Sequence, residues 1–117
     1  MAAAALVSTA TAQASRTATP AERATIIKAV RLYIDTSDCC AVISRIKVYG
    51  IRVSTVNRRW AIVYLNGYDE SGSEVGAVDA TLHKGNLTGK WSVRNFGTGG
   101  QGCGVPMLVR RDLRLTC

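Results

Sequence analysis

The sequence predicts an α+β fold: one N-terminal helix packed on a curved, mainly antiparallel sheet of about four strands, with a short C-terminal helix tied by a disulfide. Three features of the 117 residues carry that expectation. A capped amphipathic segment stands near the start. Alternating, Val- and Ile-rich stretches follow it in close succession, so that neighbouring strands pair antiparallel. A proline-opened apolar segment ends the chain between two cysteines.

Ser15–Thr19 is a polar approach to the first helix. Thr19-Pro20-Ala21-Glu22 then supplies an N-cap, a first-turn proline and the glutamate of a capping box. Ile26, Ile27, Val30, Tyr33 and Ile34 form one apolar stripe, with Arg31 and Asp35 paired off it at i,i+4. Thr36-Ser37-Asp38 ends the helix.

Ala41–Ser54 is expected to be extended. Ile46 and Val48 are out of phase with Ile51 and Val53, and a one-residue slip would turn the core face outward. Gly50, at the switch, predicts a β-bulge. Asn57-Arg58-Arg59 turns the chain into Trp60–Tyr68, where Trp60, Ile62 and Tyr64 alternate with Ala61, Val63 and Leu65. Apolar residues on both faces mark a central strand. An acidic loop, 66–76, leads to a hairpin of Val75–Lys84 and Gly89–Phe96. Matching their apolar faces sets Leu82 opposite Trp91, Ala80 opposite Val93 and Asp79 opposite Arg94. Pro106 opens a final helix over Met107–Leu113.

The length is that of one domain, 15–117, after a distinct segment at 1–14. Met1–Ala14 is small, apolar and uncharged, and Ala12-Gln13-Ala14 is a small-x-small triplet of the kind signal peptidase cuts behind. It reads as a signal-peptide remnant or a flexible tail, with export the favoured expectation. No apolar run approaches the ~18–20 residues of a membrane-spanning helix.

Four cysteines in so short a chain suit an oxidising compartment. No C-x-x-C occurs, which excludes a zinc ribbon and a thioredoxin-type motif. Of the three pairings that four cysteines allow, one joins Cys103 to Cys117 and leaves Cys39 with its neighbour Cys40. The other two link the Cys39-Cys40 corner to the C-terminal segment. Local closure makes Cys103–Cys117 the first choice, worth about 3 kcal/mol. Cys39 and Cys40 are then expected as buried thiols, or one of them as an intermolecular link.

The net charge of +7 is unevenly placed. Residues 1–60 hold nine Lys and Arg against three acids, and residues 61–117 hold six against five. The excess sits at Arg23, Lys28, Arg31, Arg45, Lys47, Arg52, Arg58 and Arg59. These form a candidate face for an anionic partner, either an unidentified protein or an anionic surface polymer. Nucleic acid is disfavoured: aromatics make up 6%, and Tyr33, Trp60, Tyr64 and Trp91 read as core positions rather than as rings interleaved with arginine.

Several stretches resemble small exported bacterial proteins. They are Ile51-Arg52-Val53-Ser54-Thr55 before Arg59-Trp60-Ala61, Leu82-His83-Lys84, Gly89-Lys90-Trp91-Ser92-Val93 and Phe96-Gly97-Thr98. The most specific is the ending Gly102-Cys103-Gly104-Val105-Pro106, then Asp112-Leu113 and Cys117. The resemblance covers residues 19–117. It implies export and a Cys103–Cys117 bridge, and it carries no catalytic residue across. Cys39-Cys40 lies outside its pattern.

No catalytic, cofactor or metal site is assigned. Gly97-Thr98-Gly99-Gly100-Gln101-Gly102 matches G-x-G-x-x-G but lacks the following strand and acid of a dinucleotide site. His83 shares a strand face with Thr81, Asp79 and, across the hairpin, Ser92 and Lys90, which reads as a solvated sheet face without an oxyanion hole. Asp69, Glu70 and Glu74 lack the EF-hand pattern and read as a solvated turn. Asn86-Leu87-Thr88 is a sequon in a hairpin loop. The expectation is a small secreted, non-catalytic binding or inhibitory module. Its alternative is a basic envelope-associated protein held electrostatically to anionic wall or lipid surfaces.

Overall fold

The computed structural model describes residues 15–117; the segment 1–14, with its expected cleavage triplet, lies outside them. The architecture is α+β, with five strands rather than about four. They are β1 (Arg16–Thr17), β2 (Arg45–Val53), β3 (Trp60–Tyr68), β4 (Glu74–Lys84) and β5 (Trp91–Gly97). The sheet is antiparallel throughout, in the order β1-β2-β3-β4-β5. The helices are α1 (Pro20–Thr36) and α2 (Met107–Leu113).

The added strand is β1, which sequence reading takes as a polar approach. It pairs Arg16 with Val53 and Thr17 with Arg52. Two residues have no periodicity of their own, so long-range contacts define this strand. Arg52 Nε donates to Ser15 Oγ at 3.0 Å and Nη1 to Thr17 Oγ1 at 3.1 Å, and Nη2 donates to the Ser15 carbonyl. Arg16 in turn makes a bidentate pair with Glu22 at 2.7 and 2.8 Å.

The helix α1 starts as its sequence requires. Thr19 Oγ1 accepts from Glu22 N, and Glu22 accepts from Thr19 N, completing the capping box. Ile26, Val30 and Ile34 are buried against the inner face of the sheet, with Ile27 and Tyr33 packed partly on them. Arg31 donates to Asp35 on the exposed side at 2.9 Å. A 3₁₀ turn, Asp38–Cys40, follows, so β2 begins at Arg45 rather than at Ala41.

The phase break in β2 is a bulge between Val48 and Gly50: Val48 faces Leu65 and Gly50 faces Tyr64, leaving Tyr49 as the extra residue. Ile46, Val48, Ile51 and Val53 thereby all reach the inner core. The central strand β3 is apolar on both sides, as its sequence suggests. Ala61, Val63 and Leu65 join the inner core, while Trp60 and Ile62 join a smaller outer core with Val105, Val109 and Leu113.

The β4–β5 register differs from the expected one. Leu82 faces Val93, Ala80 faces Phe96 and Asp79 faces Gly97, while Trp91 faces Lys84. Two features move it. The connection closes tightly, with Gly85 N donating to the Lys90 carbonyl at 2.9 Å, which fixes Lys84 beside Trp91. A bulge at Thr81/Leu82 then shifts the remaining pairs. Arg94 therefore misses Asp79 and lies 3.3 Å from His83 Nδ1.

The cysteines contain one expected pair and one correction. Cys103 is bonded to Cys117. Cys39 and Cys40 are bonded to each other, so they are neither thiols nor an intermolecular link. Adjacent residues already stand within 3.8 Å at Cα, and the 3₁₀ turn at the end of α1 holds them, with Cys40 buried and Cys39 exposed.

Candidate functional site

The C-terminal segment divides the outer sheet face into a covered half and an open half. Over the covered half, Thr81 Oγ1 donates to the carbonyl and side-chain oxygens of Gln101, both at 2.9 Å. Asn95 Nδ2 donates to the Gln101 and Cys103 carbonyls at 3.0 and 2.9 Å. The glycine-rich loop is thus a folded cover held by Gln101. At Gly102 a Cβ would lie 2.6 Å from Arg110 Cδ and 3.2 Å from the Leu115 carbonyl carbon, so any larger residue would have to displace both.

This cover changes the reading of the His83 face. Thr81 is fully buried beneath it rather than exposed to water. The His83 ring packs 4.5 Å from Trp60, and Ser92 Oγ donates to the His83 carbonyl, not to its imidazole. Burial, together with Arg94 and Arg59, pushes the His83 imidazolium pKa down. Asp79 lies further along β4, opposite Gly97, with its pKa raised by burial. These side chains pack and hydrogen-bond separately and do not form a relay.

The acidic loop is a self-contained turn. Asp69 Oδ1 accepts from Ser71 N, Ser71 Oγ and Ser73 N at 2.9, 2.6 and 3.0 Å, which holds its carboxyl below the ordinary range. Among the described residues, no group of three His, Cys, Asp or Glu could hold a metal ion.

The open half of the outer face carries Arg45, Lys47 and Tyr49 from β2 and Tyr64, Asn66 and Tyr68 from β3. Tyr49 is 57% exposed and Tyr64 37% exposed, which corrects the expectation that Tyr64 is a core residue. Asn66 Nδ2 donates to the Tyr49 hydroxyl at 3.0 Å. A hydrogen bond with Tyr68 holds the Tyr49 phenol above its ordinary pKa. The Lys47 ammonium sits 5.4 Å above the Tyr49 ring and the Arg45 guanidinium 5.9 Å above that of Tyr68. Cations and rings are interleaved here.

An open groove of about 580 Å³ adjoins this surface, lined by Arg31 from α1, Arg45, Ile46 and Lys47 from β2, Tyr68 at the end of β3 and Gly72 in the loop after it. Among the described residues, the ion pairs are Arg16–Glu22 and Arg31–Asp35, so Arg45 and Lys47 have no carboxylate partner within salt-bridge distance. Comparison with protein-family models, curated proteins and solved structures returns no match. What the site can do rests on its own chemistry.

Of the eight cations singled out in the sequence, the structure brings Arg31, Arg45 and Lys47 to this groove. Arg52 is engaged in holding β1. Arg58 and Arg59 lie beyond the other end of β2, about 26 Å along the strand from Arg45 at ~3.3 Å per residue. There Arg59 donates to the Gly85 carbonyl at 3.1 Å. Lys28 borders a separate hollow beside Trp91, and Arg23 is exposed on the first turns of α1. Tyr49, Asn66 and Tyr68 are the site residues that sequence reading passes over. The alternation Arg45, Lys47, Tyr49 on the strand face opposite Ile46 and Val48 is the signal that points to them.

Proposed function

We propose that the protein is a small exported, non-catalytic binding module that engages an anionic partner through the open half of its outer sheet face. The observation that carries this reading is the groove formed by Arg31, Arg45 and Lys47, in which two cations lack a carboxylate partner among the described residues. Cations with no carboxylate partner in the protein gain charge-assisted hydrogen bonds from an anionic ligand, which offset the cost of taking them out of water. Export is supported by the two disulfides and by the small-residue triplet ending at Ala14. Cleavage after Ala14 would leave every described element intact. No described helix is long and apolar enough to cross a membrane.

Retention on an anionic envelope surface is the second reading. It draws on Arg23, Lys28 and Arg58, which are exposed and point to no shared groove. The two readings separate by charge reversal. Arg45→Glu with Lys47→Glu should abolish capture of the partner from culture supernatant and washed envelopes, whereas Arg58→Glu with Arg59→Glu should leave capture intact. Equal loss from both pairs favours diffuse retention, and equal retention by both defeats the groove. N-terminal sequencing of the native protein should find Ser15 first; an intact Met1 would overturn export.

A further inference from the structure

We infer that the open half of the outer face is a track for an acidic polysaccharide, a linear chain of sugars bearing carboxylate or sulfate groups. This rests on the binding-module reading and adds the ligand's class. The observations behind it concern shape, chemistry and compartment.

The site is an open groove between α1 and β2 that shares Arg45, Lys47 and Tyr68 with the outer sheet face, not an enclosed cavity that would surround a small molecule. Arg45 and Lys47 are two residues apart on one strand face, about 6.6 Å at ~3.3 Å per residue, with Arg31 on the groove's far wall. Cations in this line meet a succession of anionic groups better than a single one. Beside them stand Tyr49 and Tyr68, with Tyr64 further along the same face, and their rings offer apolar faces to the C–H surfaces of sugars while their hydroxyls remain polar. Asn66 supplies an amide able to donate to and accept from sugar hydroxyls, and the hydrogen bond to Tyr49 fixes its position.

Charge alone would suit any polyanion, including polyphosphate and single-stranded nucleic acid. Two observations favour sugar. On the export reading, both disulfides suit an oxidising compartment outside the cytosol, away from the cell's own nucleic acid. The Tyr49 and Tyr68 rings each carry a cation of the same protein over one face, so each offers a ligand a single face, a smaller platform than the succession of rings on which bases stack. A sugar chain bearing its own anions instead places negative groups beside those cations while its C–H edges lie along the rings. Tyr49, moreover, is the residue the β2 bulge accommodates, which sets its ring among Lys47, Asn66 and Tyr68.

The test is affinity of the full chain for polygalacturonate, heparin, linear polyphosphate and a single-stranded oligothymidylate, at about 150 mM salt. One or both polysaccharides should bind more tightly than polyphosphate and oligothymidylate. Arg45→Ala with Lys47→Ala should weaken that binding roughly tenfold and flatten its salt dependence. Tyr49→Ala and Tyr64→Ala should each weaken it about threefold with the salt slope unchanged, and Tyr49→Phe should retain the ring's share. Unchanged melting temperatures establish that these exposed-site variants are folded. Tighter binding of polyphosphate or oligothymidylate, or tyrosine variants that bind as the parent does, would overturn the polysaccharide while leaving an anion-binding module in place. Failure to bind any of the four probes, with Arg45 and Lys47 still required for partner capture, overturns the polysaccharide alone. Failure on both counts removes the binding-module reading as well.

Discussion

Asp112 on α2 accepts a hydrogen bond from the buried Ser54 hydroxyl at 2.8 Å, joining the end of the chain to the exit of β2 across 58 residues. The same oxygen accepts from Thr55 N at 2.7 Å, and Ser54 Oγ itself accepts from Val56 N and Asn57 N, both at 3.1 Å. One carboxylate and one hydroxyl thus satisfy most of the β2–β3 turn and seat α2 over Trp60 and Ile62. Asp112→Ala leaves the buried Ser54 hydroxyl without its acceptor, so it should cost about 1–3 kcal/mol in urea unfolding. A loss indistinguishable from zero would make the contact incidental to the seating of α2.

The Cys103–Cys117 bridge holds the same segment from its other side. A seven-residue helix is marginal by itself in water. Cys117→Ser should therefore cost about 2–4 kcal/mol and expose the chain to proteolysis after Arg110 or Arg111. Non-reducing peptide maps should join Cys103 to Cys117 and give no cross-link from the Cys39-Cys40 peptide. A dominant peptide joining Cys103 or Cys117 to that corner would show that the bridging spans the domain.

At Gly102 the backbone of Leu115 and the stem of Arg110 stand where a Cβ would go. Arg110 can swing aside, but the Leu115 backbone is held by its hydrogen bond to the Arg110 carbonyl at 2.8 Å. Gly102→Ala should lower stability by about 1–3 kcal/mol through overpacking. Gly99→Ala, with nothing within 4 Å of its Cβ, is the control and should be near neutral.

The pair between Arg16 and Glu22 has a pH signature. Arg16, with help from the Thr19 backbone, holds the Glu22 carboxyl down to about 2. A carboxylate lowered in the folded state contributes stability that is present above the unfolded pKa and lost as the pH falls through the folded one. Both side chains are partly solvated, so the contribution is about 1 kcal/mol at neutral pH. Glu22→Gln keeps an acceptor for the capping box and removes the charge. Its melting temperature should fall below the parent's at about pH 7 and converge with it as the pH approaches about 2. A gap constant with pH would assign the stability to the cap instead.

What the sequence reveals is what its neighbours in sequence decide. The Thr19–Glu22 box, the stripe of Ile26, Val30 and Ile34, the Gly50 bulge and the local Cys103–Cys117 loop all depend on short-range chemistry, and all are present. β1 was hidden because a two-residue strand has no period and exists through Arg52 and the edge of β2. The β4–β5 register was hidden because the tight Gly85–Lys90 closure sets Lys84 beside Trp91 and a further bulge, at Thr81/Leu82, has no glycine to mark it. The site was half legible. Arg31, Arg45 and Lys47 stand out as charge, but their separation from Arg58 and Arg59 follows from the length of β2. The exposure of Tyr64 follows from how far the Gln101 loop reaches across the outer face.

The bulge in β2 has a consequence for insertions and deletions. Removing Tyr49 alone would give Arg45-Ile46-Lys47-Val48-Gly50-Ile51-Arg52-Val53, a strand that alternates without a break and sends the same four apolar residues inward. The core does not need Tyr49, the fifth of the nine residues of this strand. A chain shortened by that one position should keep its packing and its melting temperature while losing one aromatic ring from the outer face. Stability and surface are thus separable within a single strand, and Tyr49 is the point at which they divide.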